Sequence, residues 1–424
     1  MNFQVSPDYL ITWRQKVSSL FELLRLFKAK QIEISLRNGE LHLKAPKGAL
    51  SPELQNQIKA QKQALIDHLK AEKLDFSLFF FGKAEDTQPQ GAYELLFRAA
   101  QFAEKHGFCG IWTPERHFDS LGAFFPSPAV LAAALARETK HMALRAGSVV
   151  LPLQDPIRVV EEWSVVDHLS SGRVELSFAT GWHSNDFALA PENYRDRHQI
   201  LYNRLQEVHK LWRGESIPRQ EGSGSQIQVQ TYPRPLQPDL PVWLTAIGNP
   251  DSYRRIGASG SHLLTCLLDQ EVEELAEKLI LYRQALSENG FDPQKYKVGV
   301  FLHTFLGHEL EQTRREVEAP FKSYLKSTLH LLGKLSHSAG LNIDPSHFDA
   351  EEEAALLDFA FERYFSRRAL MGTPESVQPL LAQLKAAGVN EIACLMDFGP
   401  TPAQIMRSLE LISPMISEGI HQRA

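Results

Sequence analysis

Residues 142–187 read MALRAGSVVLPLQDPIRVVEEWSVVDHLSSGRVELSFATGWHSNDF, and this stretch decides the fold of most of the chain. Two β-branched apolar runs, residues 145–151 and 173–179, flank a segment whose apolar residues recur at helical spacing. A crossover of this length forces the two strands to lie parallel. Because parallel α/β folds carry their chemistry at the carboxyl ends of the strands, we expect a site directly after both runs.

Further runs of the same kind, separated by helical patterns, continue this rhythm along the chain. The eight predicted strands cover residues 76–81, 109–113, 145–151, 173–179, 242–246, 262–268, 298–305 and 391–396. Eight parallel strands that alternate with helices specify a (β/α)8 or TIM barrel. Two segments interrupt the rhythm, a Gly-, Ser-, Pro- and Gln-rich connection at 214–241 and a helical insertion at about 310–368. Because barrel enzymes build lids from such segments, we expect both to cover the site.

Residues 1–72 lack this rhythm and form a small α+β unit of their own, ahead of a barrel that spans 73–424. The pattern predicts a helix, a β-hairpin with Asn38-Gly39 at its turn, and a second helix that starts at Ser51-Pro52. Such a short unit buries a marginal core, so we expect it to depend on a partner. A solubilising helical cap on the barrel is the alternative.

The pattern of this first unit resembles a known family. Residues 22–70, ELLRLFKAKQIEISLRNGELHLKAPKGALSPELQNQIKAQKQALIDHLK, are similar to the TubC-type docking domains of nonribosomal peptide synthetase subunits. In that family the hairpin receives the C-terminal segment of an upstream subunit, partly by strand addition. The resemblance implies that a synthetase subunit or a carrier protein binds through residues 1–72.

Composition excludes several classes of protein. The net charge is -6 and the pI is about 6.3, so the global charge balance does not favour binding to nucleic acid or to an anionic membrane. The start of the chain lacks the features of a signal peptide, and no apolar run reaches the ~20 residues of a membrane span, which predicts a cytoplasmic protein. The chain contains no P-loop, no strand-linked dinucleotide fingerprint and no zinc motif, so we expect no metal.

Charged residues follow the second predicted strand, where Glu115, Arg116 and His117 come directly after an apolar run. Charges at this place must pair with each other or face the barrel mouth, because a buried unpaired charge is too costly. Histidine is the side chain whose unperturbed pKa lies near neutrality, which favours His117 as an acid/base group. The alternative is a surface pair of Glu115 with Arg116, with His117 in a packing role.

Four segments resemble the luciferase-like flavin monooxygenases, and among them the MupA-type branch of peptide and polyketide assembly lines. They are WTPERHF at 112–118, VVLPLQDPIR at 149–158, SGRVELSFATGWHSNDF at 171–187 and MGTPESV at 371–377. The resemblance implies a (β/α)8 barrel that binds FMN, which a separate flavin reductase supplies in reduced form. It also implies that oxygen is transferred to an intermediate of natural-product biosynthesis. That substrate is either a free small molecule or one tethered to a carrier protein, and the chain is either monomeric or a homo-oligomer.

The resemblance also assigns roles at the second strand. Arg116 stands where bacterial luciferases carry their catalytic histidine, and His117 matches the histidine that follows it. An arginine stays protonated, so Arg116 is expected to hold an anionic group, which leaves acid/base work to His117.

For the flavin, the resemblance implies contacts at the ends of three strands. Gly147 and Ser148 would lie beside the ring system, although simple strand packing explains them equally well. Arg197 matches a phosphate-binding arginine of the family, with a surface position as the alternative. Free amides at a helix start also bind phosphate, and Asn249-Pro250 predicts a capped helix there. The expected flavin residues, besides Gly147, Ser148 and Arg197, are Ala179, Thr180, Gly181, Trp182, His183, Ile247, Gly248 and Asn249.

Two other functions remain open from the sequence. A deazaflavin-dependent hydride transfer uses the same fold, and a docking adaptor would bind flavin without turnover. Oxygen consumption with supplied reduced FMN separates the three functions.

Overall fold

The structure is a computed structural model of the chain. It describes residues 23, 26–27, 30, 32–37, 40–46, 48–62, 65, 74–82, 89–268, 270–327 and 348–417. Within these residues, no helix combines the length and the apolarity that a membrane span requires.

A closed barrel of parallel strands forms the larger part of the molecule. Its members are β3 (Asp75–Phe79), β4 (Gly110–Thr113), β5 (Ala143–Val150), β6 (Val174–Ala179), β9 (Val242–Thr245), β10 (His262–Cys266), β11 (Val298–Leu306) and β13 (Glu391–Leu395). The strands are hydrogen-bonded in this order around the barrel, and β13 pairs with β3 to close it. All eight predicted strands are therefore confirmed, as is the (β/α)8 class. A short strand, β12 (Leu370–Gly372), extends the end of β11.

Helices alternate with these strands and cover the outside of the barrel. They are α2 (Pro89–Lys105), α3 (Pro128–Glu138), α4 (Pro156–Ser170), α5 (Arg197–Trp212), α6 (Pro250–Ala258), α7 (Val272–Glu288), α8 (Leu310–Lys326), α9 (Ala350–Arg363), α10 (Gln378–Ala387) and α11 (Pro402–Ser417). The crossover helix α4 shows why the ends fall where they do. Asp155 accepts a hydrogen bond from the Ile157 amide, Pro156 occupies the first turn, and Ser171 ends the helix in a left-handed conformation.

The interior of the barrel has a charged floor. Arg145 donates to the carboxylates of Glu175, at 2.8 Å, and of Glu391, at 2.6 Å. The indoles of Trp112 and Trp243 donate to Glu391 and Glu175 respectively. Burial disfavours the charge on Arg145, but the two carboxylates outweigh it and raise the pKa of this guanidinium. The network fills the amino-terminal end of the barrel.

The two irregular segments lie at different ends of the barrel. The insertion at 310–368 is helical in its described parts, with α8 and α9, and a π-helical turn at Tyr364–Arg368 continues α9. The connection at 214–241 contains a hairpin that the sequence did not predict, β7 (Ile217–Gln220) with β8 (Gln226–Val229). Gln237 in this connection donates to the carbonyl of Val174, the first residue of β6. The connection therefore lies at the amino ends of the strands, and the expectation that it forms a lid is wrong.

The N-terminal unit has a small core in its described residues. The antiparallel strands β1 (Glu33–Arg37) and β2 (Glu40–Lys44) pair in the register that a two-residue turn requires, although the turn itself lies outside the described residues. Ser51 caps α1 (Pro52–Ala60) through the amide of Leu54. The core consists of Leu23, Phe27, Ile32, Leu54, Ile58 and Leu65. The hairpin strands and the helix that Ser51 caps agree with the prediction, whereas the first predicted helix lies largely outside the described residues.

Candidate active site

A cavity opens at the carboxyl ends of the barrel strands, where the sequence predicts the site. Two halves of the barrel build it. The half formed by β4, β5, β6 and β9 is called the polar wall and contributes Pro114, Glu115, Gly147, Ser148, Val150, Ala179, Gly181, Trp182, Thr245 and Ile247. The half formed by β3, β11, β13 and the insertion is called the aromatic wall and contributes Phe79, Phe81, Phe301, Leu302, His303, Tyr324, Leu325, Tyr364, Arg368 and Leu395. Leu121 and residues of β10 and its following loop complete the lining.

Glu115 is the charged residue of the polar wall, and its carboxylate is fixed by three donors. The Val150 amide donates to it at 2.7 Å, Gln154 donates through its side chain, and the ring Nε2 of His117 lies 3.1 Å away. Glu115 is buried, whereas His117 is partly exposed behind it and does not line the cavity. Glu115 therefore connects the end of β4 to the end of β5 and connects His117 to the cavity.

Arg116 is buried in a cluster of charges beside the cavity. Its guanidinium pairs with Asp186 and, at 3.0 Å, with Asp119, and it lies 4.9 Å from the ring centre of Trp182. His183 is close to the same two carboxylates, and burial together with the charge on Arg116 lowers the pKa of its imidazole. Neither residue lines the cavity. The alternative of a surface pair between Glu115 and Arg116 is wrong, because both residues are buried and each pairs with other residues.

Gly147 and Ser148 lie at a bulge of β5, as the resemblance implied. The register with β6 shifts between Gly147 and Val149, and the Gly147–Ser148 peptide is cis. A Cβ atom on Gly147 would come within 2.9 Å of the Phe79 ring, so only glycine fits there. The Ser148 hydroxyl bonds to those of Ser177 and Thr245 at 2.9 and 2.8 Å. The bulge thus presents the side-chain-free Gly147 and a hydrogen-bonded Ser148 to the cavity.

The loop after β6 divides into residues that line the cavity and residues that do not. Ala179, Gly181 and Trp182 line it, whereas Thr180 does not. Gly181 has a φ of +78°, and a Cβ atom there would lie 2.7 Å from the Phe187 ring and 2.8 Å from a methyl group of Val150. Backbone and packing together therefore require glycine at this position.

The expected phosphate residues lie around the starts of α5 and α6. Asn249 caps α6 by accepting from the Asp251 amide at 2.9 Å, as predicted, and Ile247 lines the cavity. Gly248 and Asn249 lie beyond the lining residues. Arg197 opens α5, and its Nε atom is buried without a hydrogen-bond partner among the described residues.

The same corner of the molecule carries additional positive charge. The Arg255 guanidinium of α6 lies 4.3 Å from the ring centre of Tyr202 on α5, so the two helices are adjacent. Burial and the neighbouring charges of Arg197 and Arg255 lower the pKa of His198. A helix start next to these arginines is suited to an anion.

The aromatic wall contains a histidine that sequence reasoning missed. His303 is 9% exposed, and rings surround its imidazole edge-on at 4.9 Å (Phe321), 5.0 Å (Tyr324), 5.6 Å (Tyr364) and 5.6 Å (Phe398). Its Nε2 atom has no hydrogen-bond partner among the described residues. Burial lowers the pKa of His303 to about 3, so the ring is neutral near neutral pH.

Other charges near the aromatic wall are satisfied or neutral. Arg368 is buried, donates to Glu271 at 2.8 Å and gives a further hydrogen bond to the Leu268 carbonyl. Asp397 follows β13 and accepts from the Phe81 amide at 2.7 Å. Burial raises the pKa of Asp397 to about 7, although backbone hydrogen bonds act against this shift.

The structure brings together part of the predicted site. Six of the thirteen predicted residues line the cavity, namely Gly147, Ser148, Ala179, Gly181, Trp182 and Ile247. Arg116, His117, Thr180, His183, Arg197, Gly248 and Asn249 lie around it or farther along the same loops. The prediction missed Glu115 as a wall residue, and it missed His303, Tyr324, Tyr364 and Arg368. His303 could have been found from the sequence, because it is a polar residue in an apolar strand, two positions from both Phe301 and Phe305. The residues of the insertion have no comparable signal.

The fold is a (β/α)8 barrel with a cavity at the carboxyl ends of its strands, and comparison with known proteins identifies the family. The model of the luciferase-like monooxygenases matches residues 74–391, about three quarters of the chain, and this protein belongs to that family. The model of the TubC N-terminal docking domain matches residues 21–71. Both predicted resemblances are confirmed, whereas the MupA-type branch stays a prediction.

Individual relatives agree with this assignment. The chain is 26% identical to the oxygenase component of a flavin-dependent trigonelline monooxygenase from Acinetobacter baylyi, over 81% of this chain and 96% of that protein. The oxygenating constituent of 3,6-diketocamphane monooxygenase from Pseudomonas putida, solved with FMN, is 19% identical at a TM-score of 0.65, over 82% and 98% of the two chains. An F420-dependent secondary alcohol dehydrogenase is 17% identical at a TM-score of 0.60, over 81% and 99%. At these identities the two solved structures show the fold alone.

Proposed function

We propose that this protein is an FMN-dependent monooxygenase that uses O2 to oxidise an intermediate of nonribosomal peptide or polyketide biosynthesis, in the manner of the MupA-type branch. The observation that carries the proposal is the combination of two matched segments in one chain. A barrel of the luciferase-like monooxygenase family, with the Gly147-Ser148 bulge in its cavity, follows a segment that matches the TubC N-terminal docking domain. A separate reductase would supply the reduced flavin, as the two-component name of the Acinetobacter baylyi relative suggests.

The residues present fit FMN. The side-chain-free backbone at Gly147 leaves room for a ring system, and Ser148, Ala179, Gly181, Trp182 and Ile247 continue the same wall. The Nε atom of Arg197, at the start of α5, has no hydrogen-bond partner among the described residues and fits a phosphate group. Thr180 and His183 after β6, and Gly248 and Asn249 after β9, would complete the binding site. Reduced flavin, when bound, supplies the electrons with which O2 delivers one oxygen atom to the substrate and the other to water.

Among the charged residues, we assign His117 as the acid/base group and Arg116 as a positioning residue. His117 reaches the cavity through its contact with Glu115, and its Nε2 would hold or release a proton there. Arg116 already pairs with two carboxylates, which leaves little of its charge for a substrate anion. Its contact with the Trp182 ring supports a role in holding that ring against the cavity.

Oxygen consumption with supplied reduced FMN tests the reaction class. We expect consumption that substrate accelerates, and a product that mass spectrometry finds heavier by one oxygen atom. Consumption without product would indicate uncoupled oxidation and would remove the monooxygenase assignment. The assay uses the full chain, with candidate intermediates offered both free and attached to a carrier protein.

Two alternatives give different results in the same assay. Fold likeness to the F420-dependent dehydrogenase favours hydride transfer to a deazaflavin as the second candidate, which predicts reduction of F420 without oxygen consumption. A docking adaptor that binds flavin without turnover would show neither reaction.

The docking part of the proposal has a separate test, deletion of residues 1–72. Because β3 starts at Asp75 and the N-terminal unit has its own core, the truncated barrel should bind FMN as the full chain does. Its association with a synthetase subunit, followed by co-purification or calorimetry, should fall at least about tenfold, in line with the loss of a few kcal/mol of interface. Loss of FMN affinity instead would show that these residues belong to the barrel, and the docking proposal would fail.

A further inference from the structure

The aromatic wall offers a potential ligand one buried polar group in otherwise apolar surroundings. His303 lies on β11 in the alternation Phe301, His303, Phe305, and both phenylalanines pack in the same apolar cluster as Phe321, Tyr324 and Tyr364. Its ring lines the cavity and is nine-tenths buried. The unpartnered Nε2 atom is costly in this environment, because a buried polar group without a hydrogen bond loses its solvation.

The cation of this part of the cavity is already paired. Arg368 is the only arginine or lysine among the lining residues that the structure describes, and it donates to Glu271 and to the Leu268 carbonyl. Glu271 also pairs with Arg363, which is partly exposed and does not line the cavity. On the opposite wall, Glu115 is occupied by its own partners. A carboxylate or phosphate placed against the aromatic wall would therefore find no unpaired cation among the described lining residues, and burial of its charge is unfavourable.

We infer that the aromatic wall binds the substrate, that His303 is a substrate-contacting residue, and that the substrate part held there is an uncharged apolar group with one hydrogen-bonding function. The rings of Phe321, Tyr324 and Tyr364 would surround the apolar body. The imidazole would donate to or accept from a hydroxyl or a similar group. The inference rests on the proposed function, because it divides the cavity into a flavin side and a substrate side.

The neutral state of the imidazole agrees with this role. Since burial holds the pKa of His303 near 3, the ring offers one donor and one acceptor nitrogen across the physiological range. An unchanged protonation state means that His303 itself adds no pH dependence to ligand binding between pH 6 and 9. This property separates it from an acid/base group on the polar wall.

Three probes with one apolar body test the inference, namely naphthalene, 1-naphthol and 1-naphthoate. We expect the full-length protein to bind 1-naphthol about 3–10-fold more tightly than naphthalene, the gain of one net hydrogen bond. It should bind 1-naphthoate more than about tenfold more weakly than 1-naphthol, because of the unpaired charge. Dissociation constants are measured by calorimetry or fluorescence, with and without FMN. Equal affinity for naphthalene and 1-naphthol, or tightest binding of 1-naphthoate, would overturn the inference.

Variants then locate the hydrogen bond. His303→Phe should bind naphthalene at least as tightly as before but lose the preference for 1-naphthol, and His303→Gln, which keeps a neutral hydrogen-bonding group, should restore part of it. His141 is exposed, and His141→Phe serves as the control. It should change neither the affinity for naphthalene nor the preference for 1-naphthol. A retained preference in His303→Phe would place the contact elsewhere and refute the assignment. If His303→Phe does not fold, as judged by near-UV circular dichroism, the wild-type ranking and His303→Gln still decide the question.

Probe binding needs neither reduced flavin nor oxygen. A failed ranking with normal oxygen consumption would refute this inference alone, whereas a correct ranking without oxygen consumption would refute only the monooxygenase proposal.

Discussion

The two walls of the cavity treat their polar groups in opposite ways. On the polar wall, the Glu115 carboxylate has three donors and the Ser148 hydroxyl has two partners. On the aromatic wall, the imidazole of His303 is enclosed by rings, and its Nε2 atom has no partner among the described residues. A saturated network holds its atoms in place before a ligand arrives, whereas an unsatisfied buried group gains most when the ligand supplies the partner.

The difference indicates a division of labour between the two halves of the barrel. The polar wall is built on strand ends, and under the proposed function its fixed geometry would hold the flavin. The aromatic wall takes Tyr324, Leu325 and Tyr364 from the insertion, which is not part of the barrel strands. Under the two proposals, substrate binding and cofactor binding would therefore fall on different parts of the chain.

The largest expected effect tests whether the polar wall carries chemistry. His117→Ala should lower product formation about 10²–10⁴-fold, the usual contribution of an acid/base group, while FMN binding changes little. Oxygen should then appear as hydrogen peroxide. The measurement is product formed per oxygen consumed as substrate approaches saturation. A fully coupled variant at the wild-type rate would reduce His117 to a packing residue and leave the polar wall as a scaffold.

A second prediction tests how tightly the polar wall is packed. Gly181→Ala should destabilise the fold by about 2–4 kcal/mol, because a positive φ and close contacts with Phe187 and Val150 add together. Gly388→Ala is the matched control, since its φ is +98° and no atom lies within 4 Å of its added Cβ. Urea denaturation gives the free energy of unfolding of both variants. The difference between their two losses is the contribution of the close contacts at Gly181. Equal losses would mean that the loop after β6 yields easily and that the polar wall is not rigid.

The third prediction concerns Asp397, which follows β13. Its pKa is raised to about 7 in the folded state from about 4 in an unfolded chain, so the folded state binds the extra proton. Its stabilising contribution is complete below about pH 4 and is lost as the pH rises from there through about 7. Asp397→Asn should therefore flatten the decline in thermal stability between about pH 4 and 7.

Asp196→Asn removes the same charge from an exposed side chain that makes no capping hydrogen bond, and it serves as the control for this prediction. It should keep the wild-type pH profile. An unchanged slope in Asp397→Asn would show that the carboxyl group is better solvated than its surroundings indicate.

Local sequence pattern was sufficient for the barrel. Apolar runs at regular intervals predicted all eight strands, because a strand of a parallel barrel is buried on both faces and needs a continuous apolar run. The capped starts of α4 and α6 were readable for the same local reason, since the capping side chain and the amide that it accepts from are two residues apart. The β7–β8 hairpin was missed, because its strands are only four residues long and mostly exposed, and β7 contains a proline, Pro218.

The sequence by itself determined which residues stand at the strand ends, including the glycines that the walls require. Only the tertiary structure decided which of them meet in one cavity. Arg116 turned away from the cavity because Asp186, seventy positions later, lies beside it, and Tyr364 reached the cavity because the insertion folds back over β11. Such contacts join residues far apart in the chain, and their energies depend on burial and on partners that no local pattern contains.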